Sequence, residues 1–128
     1  MAKAILKDYM TPAPHTINAT QNLKFAQERM KEFNVRHLPV LEAGNLVGIL
    51  SERDIQFVES FDSLKPEEIT VEDAYTDELY QEEQTAVLSD VCASMAEKKV
   101  GSVLVMDGGK LAGIFTWIDA LKYIAKNG

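Results

Sequence analysis

The sequence repeats itself at an offset of 65 residues. The run GILSERD at residues 48–54 returns as GIFTWID at residues 113–119, and single matches in the same ungapped register reach back to Asp8 and Asp73. A copy of roughly 60 residues buries too little apolar surface to be comfortable alone. The repeat therefore predicts two copies, residues 1–62 and residues 63–128, that share one core and leave clefts between them.

Composition limits the class of protein. The 128 residues fit one domain or two fused half-domains, and 46% of them are hydrophobic, an ordinary value for a soluble protein. No apolar run approaches the ~20 residues that span a bilayer, and residues 1–8 lack the apolar centre of a signal peptide. The single cysteine, Cys92, cannot form an internal disulfide. We therefore expect a cytoplasmic protein without a membrane span.

The net charge of −7 is unevenly distributed. Residues 66–84 hold eight acidic residues and no Lys or Arg, which leaves 12 acidic and 13 basic residues elsewhere. No long basic stripe is present, so binding to duplex nucleic acid is not expected. A small phosphate-bearing ligand needs only two or three local cations and stays compatible with this charge.

The order of predicted elements is the same in both copies. Each reads as a short helix, an extended piece, a helix, two strands and a final helix. The predicted hairpins cover residues 35–50 and 102–115, and Thr20 is the predicted N-cap of the first long helix. We predict an α+β fold in which two small sheets pack with helices about a pseudo-twofold axis.

The recurring motif offers groups that suit a ribose phosphate. Gly48 and Gly113 permit a close approach to the second strand of each hairpin. In the first copy, the hydroxyl of Ser51 lies where the predicted strand ends and the next helix begins. The backbone amides at this helix start favour the binding of an anion. Asp54, one turn further along, has a carboxylate that can accept hydrogen bonds from a vicinal diol. Thr116 and Asp119 repeat this pair.

The same spacing has a purely structural interpretation. Ser-x-x-Asp and Thr-x-x-Asp are also capping boxes, in which the hydroxyl and the carboxylate satisfy amides at a helix start. A duplicated helix would carry its caps with it, so the repetition alone does not separate the two interpretations.

Further motifs give the chain a resemblance to a known family. They are DYMTP at residues 8–12, NVRHLPV at 34–40, VGSVLV at 100–105 and the two runs at 48–54 and 113–119. In this order they resemble a tandem pair of CBS domains, the Bateman module named after cystathionine beta-synthase, over essentially the whole chain. The resemblance implies binding of AMP, ADP, ATP or S-adenosylmethionine in clefts between the copies, with no cofactor required. It also implies a homodimer that regulates a protein target in trans.

The resemblance assigns roles to particular residues. It gives Ser51 and Thr116 the phosphate side, Asp54 and Asp119 the ribose, and the backbone of Thr16 and Ile17 the adenine edge, for which Gln81 and Glu82 are the counterparts in the second copy. Arg36 and His37 match a strand start that holds phosphates in some members, although a structural role is equally open. The second copy has Gly101 and Ser102 there. We therefore expect two unequal sites.

No catalytic or metal site is predicted. His15, His37 and Cys92 provide no spaced set of metal ligands, and no nucleophile lies at a recognisable spacing from a base. We expect a non-enzymatic sensor of adenine nucleotides. The alternatives are a ligand-free dimerisation module and a regulatory fragment of a larger enzyme or transporter. Trp117, Leu121 and Phe57 are the predicted apolar contributors to a dimer, and Trp117 could instead stack on a base.

Overall fold

The computed structural model describes residues 3–77 and 79–127. In chain order its strands are β1 Thr11–Pro12, β2 Ile17–Asn18, β3 His37–Glu42, β4 Asn45–Ser51, β5 Gln81–Glu83, β6 Ser102–Asp107 and β7 Lys110–Thr116, and its α-helices are α1 Leu23–Phe33, α2 Glu52–Glu59, α3 Leu88–Lys98 and α4 Trp117–Asn127. Two small sheets with helices confirm the predicted α+β class. In the described part of the chain, no helix is long and apolar enough to cross a membrane.

Two hairpins form the centre of the sheets. β3 pairs with β4, and β6 pairs with β7, both antiparallel and both with a register shift at the same point of the repeat. In the first hairpin Glu42 pairs with Asn45, and the two residues between them, Ala43 and Gly44, have φ of 51° and 82°. Two consecutive positive φ values are typical of the turn that matches strand twist in a two-residue hairpin loop.

The helix after β2 begins and ends at asparagines. The side chain of Asn22 accepts a hydrogen bond from the backbone N–H of Phe25 at 2.8 Å, and Asn34 ends α1 in the left-handed region with φ of 54°. The prediction of Thr20 as the N-cap is wrong, because its hydroxyl donates to Asn18 at 2.8 Å within the preceding turn.

The chain folds into two compact units that exchange their leading segments. One unit is His15–Leu79, called here the first-hairpin unit; the other combines Met1–Pro14 with Tyr80–Gly128 and is called the second-hairpin unit. In the first-hairpin unit the sheet order is β2-β3-β4, and Thr76 forms a further bridge to Ile49. In the second-hairpin unit the order is β1-β7-β6-β5. The segment that leads each sequence copy thus lies in the unit built on the other copy's hairpin.

Each unit has its own apolar core, whereas the repeat predicted one core shared by the two sequence copies. In the first-hairpin unit the hairpin packs against α1 and α2, with the buried side chains Leu23, Ala26, Met30, Leu38, Val40, Leu50, Ile55 and Val58. In the second-hairpin unit the buried side chains are Leu6, Leu88, Val91, Met95, Val103, Val105 and Phe115. Full burial of one large apolar side chain contributes about 1.5–3 kcal/mol. These contacts fix the ends of β3, β4, β6 and β7, where the predicted site residues lie.

Candidate functional site

The repeated motif lies at a junction of strand and helix in both units. β4 ends at Ser51 and α2 begins at Glu52, while β7 ends at Thr116 and α4 begins at Trp117. Ser51 keeps an extended backbone, with φ of −109° and ψ of 160°, so its side chain can fold back over the first turn of α2. The motif therefore presents a hydroxyl and a carboxylate at each helix N-terminus, as its spacing predicts.

Both motifs cap their own helices. In the first-hairpin unit the N–H of Ser51 donates to Oδ2 of Asp54 at 2.8 Å, and the N–H of Asp54 donates to Oγ of Ser51 at 3.1 Å. In the second-hairpin unit the N–H and the hydroxyl of Thr116 both donate to Oδ2 of Asp119, at 2.9 and 3.3 Å. The first motif thus forms a complete capping box with both reciprocal bonds. In the second motif only the carboxylate half is present, because among the described residues no helix N–H donates to the hydroxyl of Thr116.

Capping uses only one oxygen of each carboxylate. Among residues 3–77 and 79–127, no side chain or backbone group donates to Oδ1 of Asp54 or Asp119, and both side chains are half-buried. A carboxylate has about four acceptor positions. Each aspartate can therefore cap its helix and still accept hydrogen bonds from a ligand, so the two interpretations of the motif are compatible.

The sheet of the first-hairpin unit places His37 directly opposite the motif hydroxyl. β4 is antiparallel to β3, with Ser51 opposite His37, so the N-terminal end of β3 and the C-terminal end of β4 lie at one edge. β2 is parallel to β3 and begins further along it, with Ile17 opposite Val40. Thr16 immediately precedes β2 and is exposed, while the side chain of Ile17 is buried in the core.

Arg36 and His37 occupy different surroundings although they are neighbours in sequence. Arg36 lines a groove of about 390 Å³ between α1 and α2, together with Lys31, Glu52 and Glu59. Its carbonyl accepts a hydrogen bond from the N–H of Glu52 at 2.9 Å, which fixes the start of α2. His37 lies half-buried opposite Ser51. The structure therefore places His37 opposite the motif hydroxyl, whereas Arg36 borders the groove and its charge still acts on His37.

The pKa of His37 is lowered from its ordinary value of 6.5. Burial is the largest cause, because it disfavours the charged imidazolium. The carboxylates of Asp54 and Glu52 oppose this shift, and the guanidinium of Arg36 adds to it. The charge of Asp54, the residue predicted to bind a ribose, thus acts on His37.

The corresponding edge of the second-hairpin unit carries no basic side chain at these positions. Ser102 lies opposite Thr116, and the carbonyl of Gly101 accepts from the N–H of Trp117 at 3.1 Å. Glu82, the counterpart of Ile17, accepts a hydrogen bond from the hydroxyl of Tyr80 at 2.8 Å. The two edges share the backbone pattern and differ in charge, and the inequality of the two ligand sites stays a prediction.

The two motif glycines are approached by the chain itself. A Cβ on Gly48 would collide with the ring of Tyr75 and lie 2.5 Å from the carbonyl oxygen of Thr76. A Cβ on Gly113 would lie 2.5 Å from the sulfur of Met10 and 2.7 Å from the carbonyl oxygen of Thr11. Packing thus explains both glycines, and their predicted contact with a ligand stays a prediction.

An apolar cleft beside Asp54 is a feature that the sequence reasoning missed. It measures about 530 Å³, and its lining includes Phe57, Phe61 and Leu64, with Asp54 and Arg53 also contributing. The rings of Phe57 and Phe61 meet edge to face at 5.3 Å. The helical spacing of residues 54, 57 and 61 could have indicated that these side chains share a face.

Of the other singled-out residues, His15 and Cys92 lie outside the two motif runs, whereas Trp117 lies inside the second run, between Thr116 and Asp119. His15 is exposed and stacks on Phe33, with ring centroids 3.5 Å apart. Cys92 is half-buried in α3, and burial raises the pKa of its thiol, which disfavours a reactive thiolate. Trp117 is 50% exposed at the start of α4.

Comparison with known proteins gives consistent matches. The model of the CBS domain family matches the chain at residues 6–58 and again at 66–126. CBS domain-containing protein YhcV of Bacillus subtilis is 30% identical over 112 residues, which cover 85% of this chain and 77% of YhcV. An uncharacterized conserved protein from Pyrococcus horikoshii is 32% identical in a solved structure, with a TM-score of 0.87 over 100% of this chain and 96% of that one. The CBS domain pair of protein MJ0100, solved with 5′-methylthioadenosine and S-adenosyl-L-methionine, has 22% identity and a TM-score of 0.89 over 99% and 100% of the chains.

Proposed function

Because this chain belongs to the CBS domain family, of which it carries two copies, we propose that it is a regulatory module that binds an adenosine-containing ligand. The membership confirms the family that the motifs predicted. In the proposed mechanism, ligand binding favours one conformation over another and a partner protein responds to that change. The module itself performs no chemistry.

The observation that carries the proposal is the unused oxygen of each capping aspartate. Asp54 and Asp119 are held in place by hydrogen bonds from Ser51 and Thr116, so their carboxylates are oriented before any ligand arrives. Such preorganisation lowers the entropic cost of binding. A ribose diol supplies two hydroxyl donors, which suit a carboxylate whose second oxygen accepts no other bond. The adenosine ligands in the solved MJ0100 pair support this choice of ligand class.

The two units are proposed to prefer different ligands of that class. The edge of the first-hairpin unit has His37 beside the start of α2, and this arrangement favours a phosphorylated ligand such as AMP, ADP or ATP. The edge of the second-hairpin unit has Ser102 at the same place and Glu82 nearby on β5, which disfavours added negative charge. We propose that it binds an uncharged or cationic adenosine derivative, with S-adenosylmethionine as one example.

Self-association is proposed to cover the exposed apolar side chains of α2 and α4. Trp117, Leu121 and Ile124 lie at helical spacing on α4 and are 50%, 51% and 58% exposed. Phe57 on α2 is 66% exposed. Apolar side chains concentrated on two helices are typical of protein contact surfaces, and a second copy of the chain offers the same faces in return.

The same exposed faces favour the second candidate, a dimerisation module without a ligand. In that case the aspartates serve only as caps. The distinction lies in whether an adenosine compound binds at all, since both candidates predict association.

A thermal shift assay separates the two candidates. Adenosine, AMP, ADP, ATP and S-adenosylmethionine are each added at increasing concentration, with cytidine 5′-monophosphate, which has the same ribose phosphate as AMP, as the control for the adenine base. A ligand at 100 times its Kd stabilises the folded state by about 2.7 kcal/mol, so a clear rise in Tm is expected for at least one adenosine compound. An unchanged Tm with every adenosine compound would refute ligand binding and favour the dimerisation module.

A further inference from the structure

The apolar cleft beside Asp54 lies where the other unit has two tyrosines. In the register of the repeat, Val58 corresponds to Tyr123, and both lie on the helix that follows a hairpin. In the same register Ala74 corresponds to Tyr9. The two tyrosine rings pack edge to face, with centroids 4.6 Å apart, against the core of their unit. The smaller valine and alanine both line the cleft of about 530 Å³, so this space is a property of the first sequence copy and not of the fold.

The walls of the cleft are apolar and open to solvent. Phe57, Phe61 and Leu64 are 66%, 47% and 38% exposed. At the positions of the two phenylalanines, α4 has the exposed Lys122 and Lys126. A site for a small molecule encloses about 70–90% of the ligand surface, whereas a helix laid into a groove covers walls that stand open. The exposed fractions therefore favour a polypeptide segment as the occupant.

The segments that line the cleft are acidic. Residues 53–77 hold eight acidic residues and two basic ones, Arg53 and Lys65. Two of the acidic residues, Asp54 and Asp73, line the cleft itself. Others are exposed next to or near its remaining lining residues: Asp62, Glu67, Glu68 and Glu72. An apolar groove with an acidic rim is complementary to a segment whose apolar face is flanked by Lys or Arg.

We infer that this cleft is the docking site for an amphipathic helix of the regulated protein, with apolar residues on one face and Lys or Arg beside them. The inference rests on the proposed function for the existence of a partner that responds to the module. Asp54 belongs both to the cleft and to the proposed ribose site, while the other described lining residues lie outside the proposed ligand contacts. Docking and ligand binding thus meet at one residue, through which each can affect the other.

Fluorescence anisotropy with a synthetic peptide tests the docking. The probe is a labelled peptide of about 14 residues, or about four helical turns, with leucines on one face and lysines on the other. One control peptide has serine in place of each leucine, and another has glutamate in place of each lysine. The protein should bind the leucine–lysine peptide at least about tenfold more tightly than either control. The measurements are repeated in Leu121→Glu, because the proposed self-association would also cover Phe57.

Filling the cleft separates docking from the general negative charge of the protein. Val58→Tyr combined with Ala74→Tyr introduces the residues of the other unit and changes no charge. This variant should bind the leucine–lysine peptide about tenfold more weakly. Phe57→Ser combined with Phe61→Ser should do the same on exposed side chains, so the test does not depend on how the core accepts two tyrosines. Phe25→Ser is the matched control, because Phe25 is 37% exposed on α1 and should bind the peptide as the parent does.

Neutralising the acidic rim tests the charge part of the inference. Glu67→Gln combined with Glu68→Gln removes two exposed charges close to the lining residue Ile69. Peptide binding should weaken by about threefold at low ionic strength, and the difference should fade near about 0.5 M salt, because exposed charges are screened. Asp90→Asn combined with Glu97→Gln removes two exposed charges from α3 of the other unit and should leave peptide binding unchanged.

The contrary results have different meanings. Failure of the parent to bind the peptide, or equal binding in the parent and in both cleft variants, would overturn the inference. It also fails if both cleft variants change the light-scattering mass from dimer to monomer with peptide binding unchanged, because a second copy then occupies the cleft. It fails again if they abolish binding of every adenosine compound with peptide binding unchanged, because the cleft then belongs to the ligand site. If peptide binding follows the expected pattern and no adenosine compound binds, docking is supported and the ligand part of the proposed function is refuted.

Discussion

Replacing Asp54 by asparagine separates the two tasks that the structure gives this carboxylate. One oxygen, Oδ2, accepts the N–H of Ser51 at 2.8 Å, and the other oxygen is free to accept from a ribose. Asparagine has nearly the same shape but only one oxygen, with an NH₂ group in place of the second. After the substitution, the cap and the ligand must therefore share one acceptor that carries no full charge.

The size of the effect follows from the change of acceptor. A hydrogen bond to a charged group contributes roughly 1.5–3 kcal/mol, and a bond between neutral groups roughly 0.5–1.5 kcal/mol. The loss of about 1.4 kcal/mol corresponds to a tenfold weaker affinity at the first-hairpin unit. Loss of the charge at the N-terminus of α2 should cost folding stability only about 0.3–1 kcal/mol.

The assay is calorimetry with the adenosine compound that raises Tm most, accompanied by urea unfolding of the same variants. Glu52→Gln is the matched control, because it removes the same charge from the same first turn of α2, while the capping box is formed by Ser51 and Asp54 without Glu52. We expect Glu52→Gln to retain binding within about twofold. Asp119→Asn repeats the experiment in the second-hairpin unit.

Two results would refute this reasoning. A double variant Asp54→Asn, Asp119→Asn that binds every adenosine compound as tightly as the parent would show that the aspartates are caps and nothing more. A loss of affinity in Glu52→Gln equal to that in Asp54→Asn would show that the general charge of the helix end matters, and not a hydrogen bond from the ligand to Asp54.

Three further predictions concern packing, association and pH. Gly48→Ala and Gly113→Ala should each lower the free energy of unfolding by about 1–3 kcal/mol in urea titrations, because a Cβ would overlap the segment that crosses each glycine; an unchanged urea midpoint would contradict that packing. Leu121→Glu, on the exposed face of α4, should shift the light-scattering mass from dimer to monomer at micromolar concentration, and a parent protein that is already monomeric would refute the association. Burial lowers the folded-state pKa of His37, so below pH 6.5 the unfolded state binds more protons than the folded state, and the stability that neutral His37 provides is complete above pH 6.5 and is lost as the pH falls through the folded pKa. The Tm of His37→Ser should therefore fall less steeply than that of the parent between pH 6.5 and pH 5. Identical slopes of Tm against pH would refute the assignment.

The local features of the site could be predicted from the sequence because they depend on short-range chemistry. A hydroxyl three residues before a carboxylate at a strand end has few other partners, so Ser51 and Asp54 meet at the helix start wherever that helix lies. The hairpin turn at Gly108 and Gly109 follows from residues that adopt positive φ without strain. The difference in side chain between His37 and Ser102 can likewise be read from the alignment of the two sequence copies.

The surroundings of individual side chains could not be predicted in the same way. Arg36 and His37 formed one predicted phosphate contact, yet Arg36 lies in the groove between α1 and α2 and His37 lies opposite Ser51. The lowered pKa of His37 depends on how much water the packed unit removes from the ring. Burial of this kind is a property of the assembled elements and not of the neighbouring residues in the chain.

By itself the sequence determined that two copies of one unit exist, how the helix after each hairpin begins, and that only the first copy has Arg36 and His37 at the start of its hairpin. Only the tertiary structure decided which leading segment joins which hairpin. Met10 and Thr11 lie over Gly113, while Tyr75 and Thr76 lie over Gly48. Both leading segments present a threonine carbonyl to a hairpin glycine, from Thr11 in one unit and from Thr76 in the other, so this local contact does not distinguish the two arrangements. The choice rests on burial in each core, where Leu6 packs with the second hairpin and Val71 with the first, and such contacts between distant parts of the chain leave no signal in local sequence pattern.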